Sequence, residues 1–188
     1  MDIRILITFM ASFLFLGCYS PAEACKCIQR HPQTVFCNSD AVLKIEFLSS
    51  GTQYSEKGYN IKVSEVWKGS ENFKTITFVS TMAGTSCELS IPSDNQEYII
   101  AVSKSDDGKV SLGLCSFVKL LSAMPPKQIA GMQKAYAKGC GCEITTCAVP
   151  PCPSLRRQCI LEDGDSGNQQ QNMMCAPHAK GICSWKTI

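Results

Sequence analysis

The chain has 188 residues, 18 Lys and Arg against 16 Asp and Glu, a formal net charge of +2, and 13 cysteines. This near-neutral balance, with its basic residues scattered along the chain, gives no electrostatic footprint for nucleic acid. So many cysteines point to disulfides in an oxidising compartment and away from a cytosolic enzyme.

In chain order, the first segment reads as a leader. Arg4 supplies a basic start diluted by Asp2, and Ile5 to Leu16 is an apolar run of signal-peptide length. Pro21 breaks a helix, and Ala22-Glu23-Ala24 has the small-x-small pattern of a signal-peptidase site. The expected cut follows Ala24 and makes Cys25 the first mature residue. A bacterial lipoprotein box ending at Cys18 is a weaker alternative. Beyond the leader no stretch is long and apolar enough for a membrane span. Losing Cys18 leaves 12 cysteines, an even number that allows six disulfides. The leader also removes one basic and two acidic side chains, so the mature charge is +3. No N-x-[ST] sequon occurs, so N-glycosylation is not expected.

Five segments read as strands: Asp40–Leu48, Tyr59–Trp67, Thr75–Ser80, Glu97–Val102 and Lys109–Leu114. Turn residues separate them at 49–51, 68–70, 93–95 and 106–108. Short strands punctuated in this way predict a small antiparallel barrel or sandwich. The consecutive apolar residues of Tyr98–Val102 predict a central strand covered on both faces. Helices are expected at Pro32–Asn38 and, more firmly, Pro125–Lys138, which opens with prolines and ends at Gly139. From Cys140 to Cys183 the character changes, with seven cysteines in 44 residues and few apolar residues between them. Such a tail needs staples, and its polar run Gly164–Asn172 reads as a mobile loop.

Cys25-x-Cys27 and Cys140-x-Cys142 lack the C-x-x-C spacing of zinc ribbons. Asp106-Asp107-Gly108 reads as a turn without the alternating oxygen ligands of a calcium loop. His31 reads as a structural surface or capping group, His178 lacks a partner at metal-site spacing, and Trp67 and Trp185 read as packing residues. No G-x-S-x-G nucleophile motif is present, and the chain reads as a non-enzyme.

The chemically informative feature is a cysteine at the first mature position, followed by Lys26 and Cys27. A disulfide-bonded Cys25 has no thiolate for a metal, but its α-amine and carbonyl form a five-membered chelate. The ordinary pKa of an α-amine, about 7.7–8.0, makes deprotonation at neutral pH inexpensive. A catalytic zinc keeps one position open for water or substrate, and a chelating N-terminus would occupy it. Two bridged cysteines would hold that terminus rigid and reduce the entropy lost on docking. Spacing alone also fits two plain staples near a chain end.

The surrounding residues add a resemblance. Cys25-Lys26-Cys27, His31-Pro32-Gln33-Thr34, Phe36-Cys37-Asn38-Ser39-Asp40, Lys68-Gly69, Cys87, Tyr98–Ala101 and Cys115-Ser116-Phe117 resemble the tissue inhibitors of metalloproteinases. So do Gly139-Cys140-x-Cys142-x-Ile144-Thr145-x-Cys147-x-x-x-Pro151-Cys152, Cys159, Cys175 and Cys183-x-Trp185. The resemblance implies a mainly β fold: a five-stranded OB-type, netrin-like barrel with flanking helices, plus a small disulfide-rich C-terminal subdomain. The implied division is a signal peptide over 1–24, an inhibitory domain over 25–140 and a cysteine-rich subdomain over 141–188. It implies the pairs Cys25–Cys87, Cys27–Cys115, Cys37–Cys140, Cys142–Cys183, Cys147–Cys152 and Cys159–Cys175. The long loops closed in the first domain make each of its bridges worth about 4 kcal/mol in the chain-entropy account.

The resemblance also implies roles. Cys25 chelates the zinc of the target protease, Lys26 enters the specificity pocket beside that zinc, and Cys27 and Ile28 follow along the substrate cleft. Ala83, Gly84, Thr85, Ser86, Cys87, Glu88 and Leu89 line the other side of the cleft, tethered through Cys87. The protein needs no cofactor of its own, and the expected partners are zinc metalloproteinases: matrix metalloproteinases, with disintegrin metalloproteinases or astacins as further candidates, bound by one secreted monomer each. Lys26 departs from the family pattern, which usually has Thr or Ser there, and an ammonium buried unpaired is costly. The tail is also short after Trp185 beside vertebrate members. The competing reading is a netrin-type extracellular binding or signalling module that does not inhibit proteases.

Overall fold

The computed structural model describes residues 27–81, 89–92, 94–147, 151–152, 155–162, 166–178 and 181–188. The chain enters through α1 (Pro32–Asn38), with Pro32 at its first turn. It then forms β1 (Ala41–Gln53), β2 (Glu56–Lys68), β3 (Phe78–Thr81), β4 (Glu97–Lys104), β5 (Val110–Leu112) and β6 (Val118–Leu120).

Neighbouring strands run β1-β2-β3-β5-β4, and β4 pairs back onto β1, which closes a five-stranded barrel. Only the β3–β5 pair within it is parallel. β6 adds to β4 at Tyr98–Ile100, next to the point where β5 pairs with Ser103 and Lys104. The register of β1 against β2 shifts at Val42/Leu43, Lys44/Ile45 and Phe47/Ser49. Such irregularities bend a strand and increase its twist, which a small barrel needs.

Alternation along the strands sorts side chains into two cores. Leu43, Ile45 and Phe47 of β1, with Tyr98, Ile100 and Val102 of β4, point into the barrel with Ile61, Val79 and Leu112. Tyr59 and Tyr98 both meet Phe47 edge-on, at centroid distances of 5.4 and 5.2 Å. Val42, Ile99 and Ala101 point the other way, under Phe36, Met132 and Tyr136 of the helices and Met174 of the tail. The run Tyr98–Val102 is therefore apolar throughout because both its faces are covered.

The expected helix over Pro125–Lys138 is continuous but not uniform. An α-helical turn, α2 (Pro126–Ala130), widens into a π turn over Gly131–Ala135 and tightens into a 3-10 turn over Tyr136–Gly139. Tyr136 donates its backbone N–H to Gly131 O, five residues back, and a Cβ at position 131 would lie 2.4 Å from the tyrosine ring. The wide turn lets the ring fold over the glycine and into the outer core.

Four expectations of the strand and loop pattern need correction. The turn expected at 49–51 lies inside β1, where Ser49, Ser50 and Gly51 pair with Asn60, Tyr59 and Gly58, and the chain reverses instead at Tyr54 and Ser55, both with positive φ. The strand predicted at Thr75–Ser80 begins only at Phe78, because Glu71–Thr75 forms a 3-10 turn that buries Phe73. The strand predicted at Lys109–Leu114 ends at Leu112, where Gly113 to Ser116 makes a turn. Residues 166–172 of the expected mobile loop form α3 (Ser166–Asn172). That polar segment is helical because tertiary contacts hold it. Gln169 is buried, Gln128 Nε2 donates to Gln170 O, and Ile188 N–H donates to Asn172 O.

The rest of the tail is two strand pairs: parallel β7 (Glu143–Cys147) with β8 (Gln158–Glu162), and antiparallel β9 (Met173–Pro177) with β10 (Cys183–Thr187). Their buried centre is Cys142, Cys159, Cys175 and Cys183, with Ile144 and Trp185 packed against it. The five pairings among described cysteines are Cys27–Cys115, Cys37–Cys140, Cys142–Cys183, Cys147–Cys152 and Cys159–Cys175, each as the resemblance implied.

At Gly58 β2 and β3 approach closely. A Cβ there would sit 2.1 Å from Val79 O, so Gly58→Ala must push β2 and β3 apart. Overpacking of this kind costs about 1–3 kcal/mol. Denaturant midpoints are expected to fall accordingly for Gly58→Ala, and to stay within about 0.5 kcal/mol for Gly141→Ala, where nothing lies within 4 Å of the added atom.

Candidate functional site

Cys25, Lys26 and the segment Ala83, Gly84, Thr85, Ser86, Cys87 and Glu88 lie outside the described residues, and so does the expected Cys25–Cys87 pair. The structure describes what flanks them. Cys27 is bonded to Cys115 at a Cα separation of 5.3 Å. Cys115 sits in the Gly113–Ser116 turn, closed by Ser116 N–H to Gly113 O at 3.0 Å and Gly113 N–H to Ser116 Oγ at 2.8 Å. Residues 27–30 are exposed, and Ile28 is 85% accessible, an unusual exposure for a large apolar side chain.

Leu89 begins again beyond the second segment. It packs against the barrel core, and its carbonyl accepts from Tyr59 Oη at 3.2 Å. The same hydroxyl accepts from Ile91 N–H at 2.9 Å. Tyr59 thus pins the chain where the predicted 83–89 segment rejoins the barrel, and a disulfide pins it where the 25–28 segment leaves.

α1 fixes the direction from which the exposed segment departs. His31 is its N-cap: Nδ1 accepts from Gln33 N–H at 3.1 Å, and Nε2–H donates to Gln169 O at 3.0 Å. The expectation of a capping role holds, but the ring is buried rather than on the surface. It lies 5.3 Å from Trp185 and 6.0 Å from Tyr136, centroid to centroid. Burial pushes the imidazole below its ordinary pKa, against smaller opposing effects from the backbone at Gln169 and Met173.

Gln33 uses both ends of its amide. Nε2 donates to Cys175 O at 2.7 Å and Gly139 O at 3.0 Å, while Oε1 accepts from Cys175 N–H at 2.8 Å. Gly139 must lack a side chain here, since a Cβ would meet Cys175 O at 2.1 Å. At the other end of α1, Lys68 Nζ donates to the carbonyls of Phe36, Cys37 and Ser39 at 2.6, 3.0 and 2.5 Å. An ammonium there satisfies carbonyls left open by the last turn and complements the helix dipole. Burial lowers the pKa of Lys68, with Asp40 opposing. Gln33 and Lys68 both stand in the stretches that carry the family resemblance, but the sequence gives neither of them these contacts.

Cys142, Cys175 and Cys183 bring their sulfurs within 4.8 Å of one another. All three are in disulfides and have no thiolate for a metal. The Asp107 turn is also not a cation loop, since its carboxylate is engaged by Ser105 and Lys109.

The tissue inhibitor of metalloproteinase family profile matches residues 23–185. The chain belongs to that family. Metalloproteinase inhibitor 3 of Gallus gallus is 30% identical over 175 residues, covering 87% of this chain and 82% of the relative. Metalloproteinase inhibitor 4 of Mus musculus is 32% identical over 87% and 80% of the two chains, and metalloproteinase inhibitor 2 of Homo sapiens is 30% identical over 88% and 82%. The family is one of inhibitors rather than enzymes. No helix among the described residues is long and apolar enough to cross a membrane.

Removing the Gln33 amide would leave buried groups of Gly139 and Cys175 without that partner. Each unsatisfied buried group costs about 1–3 kcal/mol. Gln33→Ala is therefore expected to lower unfolding stability by at least about 2 kcal/mol in chemical denaturation of the disulfide-intact chain, whereas Gln133→Ala, on the exposed face of the π turn, should change it by less than about 0.5 kcal/mol.

Proposed function

We propose that this family member is a secreted metalloproteinase inhibitor whose mature N-terminus, created by cleavage after Ala24, is the inhibitory group. The α-amine and carbonyl of Cys25 chelate the catalytic zinc of the target, a metal that belongs to the protease. With the amine deprotonated, the two atoms take the place of the zinc-bound water. Lys26 enters the adjoining specificity pocket, Cys27 and Ile28 extend along the cleft, and residues 83–89 line its other side.

The observation that carries this reading is the Cys27–Cys115 bridge, two residues from the proposed chelating group and anchored in a hydrogen-bonded turn. Ile28 beside it is exposed, as a residue meant for a partner's cleft should be. The chain between Cys27 and the N-cap His31 is only three residues long, so little freedom remains to be lost on docking. The division into an inhibitory barrel over 25–140 and a subdomain over 141–188 belongs to the same proposal, as do matrix metalloproteinases, disintegrin metalloproteinases or astacins as targets of a monomer.

Two measurements test it. Intact mass of the secreted protein should place the N-terminus at Cys25, and one extra alanine ahead of it should weaken inhibition at least about a hundredfold, or about 2.7 kcal/mol. Undiminished inhibition by the extended or N-acetylated protein would exclude the chelate. Separately, Lys26→Thr should tighten binding to proteases with an apolar pocket by about tenfold, because the ammonium no longer has to be desolvated or turned outward. Equal affinities of both forms across a panel of catalytic domains would remove Lys26 as a specificity determinant.

A further inference from the structure

His31 is wedged where α1 of the barrel region meets the tail. Its two ring nitrogens serve different masters: Nδ1 accepts from the first turn of α1, and Nε2–H donates to the α3 backbone. This arrangement requires the neutral Nε2–H tautomer. A second proton would turn Nδ1 into a donor facing the donor N–H of Gln33, the residue whose side chain clasps Cys175 and Gly139.

Among the described residues, no acidic side chain pairs with the ring. The elements around the ring are α1, the 3-10 turn Tyr136–Gly139, α3, β9 and β10, and their sequences contain no Asp or Glu at all. Their charged side chains are Lys138 and Lys186, both exposed and both cations. The ring's aromatic neighbours, Tyr136 and Trp185, are neutral. An imidazolium in this position is buried and uncompensated, which the protein relieves by exposing it to water.

We propose that His31 is an acid-released latch between α1 and the C-terminal subdomain, and that its protonation opens the contact of α3 and β9 with the barrel's first helix. The bridges Cys37–Cys140 and Cys142–Cys183 keep the parts covalently joined, so the opening is local and reversible. The sign follows from linkage. The closed state holds the imidazole below its ordinary pKa, so the open state binds the proton better. Closure is complete above the ordinary histidine value of about 6.5 and weakens as pH falls from there through the closed-state value. The opening constant rises by up to tenfold per pH unit across that window.

The test is hydrogen exchange on the full secreted, disulfide-bonded chain at pH 7.5 and 5.0, corrected for the intrinsic pH dependence of exchange. Wild type should lose protection at least about tenfold in peptides covering 31–38 and 166–177, with the barrel strands unchanged. His31→Asn keeps a side-chain oxygen suited to the N-cap but does not titrate, and its protection should not depend on pH. Equal wild-type protection at the two pH values, or the same acid sensitivity in His31→Asn, would overturn the latch. Should the variant not fold, NMR of wild type decides: the His31 ring, the Gln33 amide and the Cys175 amide should shift with one common midpoint. A ring that titrates while both amides stay still overturns it equally.

Discussion

The structure depends on how a seven-residue helix is held. α1 is far shorter than the 12–15 residues at which isolated helices become even marginal in water, and it must be fixed by its surroundings. Three different chemistries do this. A neutral imidazole and an amide hold its N-terminal end to the tail, an ammonium gathers three carbonyls at its C-terminal end, and the Cys37–Cys140 bridge ties its last turn to the end of the π-interrupted helix. Phe36 and Cys37 lie against the apolar layer outside the barrel. Because the chain reaches α1 directly from Cys27, whatever orients this helix also orients the N-terminal segment.

This explains why the barrel is built with two cores. A sheet packed only on its inside would leave Val42, Ile99 and Ala101 exposed; here they form the floor on which α1, the helical segment and Met174 sit. β4 is the common element, pairing with β1 on one edge and with β5 and β6 on the other. The disulfides follow the same logic. Cys27 and Cys37 reach across 88 and 103 residues to close the first unit, whereas Cys147–Cys152 and Cys159–Cys175 close loops with separations of 5 and 16 in a tail with little apolar area. Long loops gain most from closure, and small stapled units substitute covalent links for core.

What was legible in the sequence is what period and type encode. Alternation in Tyr59–Trp67 and the unbroken apolar run of Tyr98–Val102 gave the barrel's strands, and Pro32 gave the start of α1. The polar segment 166–172 was not legible as a helix because its order comes from residues far along the chain: Gln128 and the C-terminal Ile188 hold its backbone, and His31 takes one of its carbonyls. β6 and the tail strands are three to five residues each, too short for a period-2 pattern to separate from loop. Gln33 was invisible for a related reason. A glutamine in a first helical turn has no local signature for bonds to residues 106 and 142 positions away. The positions proposed for the inhibitory edge, by contrast, rest on cysteine spacing and the family resemblance, and most of them lie outside the described residues.

The distribution of polar contacts bears on how such a molecule can act through its terminus. On the proposed reading, the inhibitory segment has to be rigid, yet it has to stay exposed to reach a partner. Burying it would satisfy the first condition and defeat the second. The structure separates the two by placing the constraints on either side of the exposed residues: a disulfide into the Gly113–Ser116 turn at Cys27, and a buried, hydrogen-bonded cap at His31. Between them Ile28 is left in solvent without being left free. The cost is that a titratable ring carries one of the two anchors, so the placement of residues 27–30 and the docking of the tail draw on the same neutral imidazole.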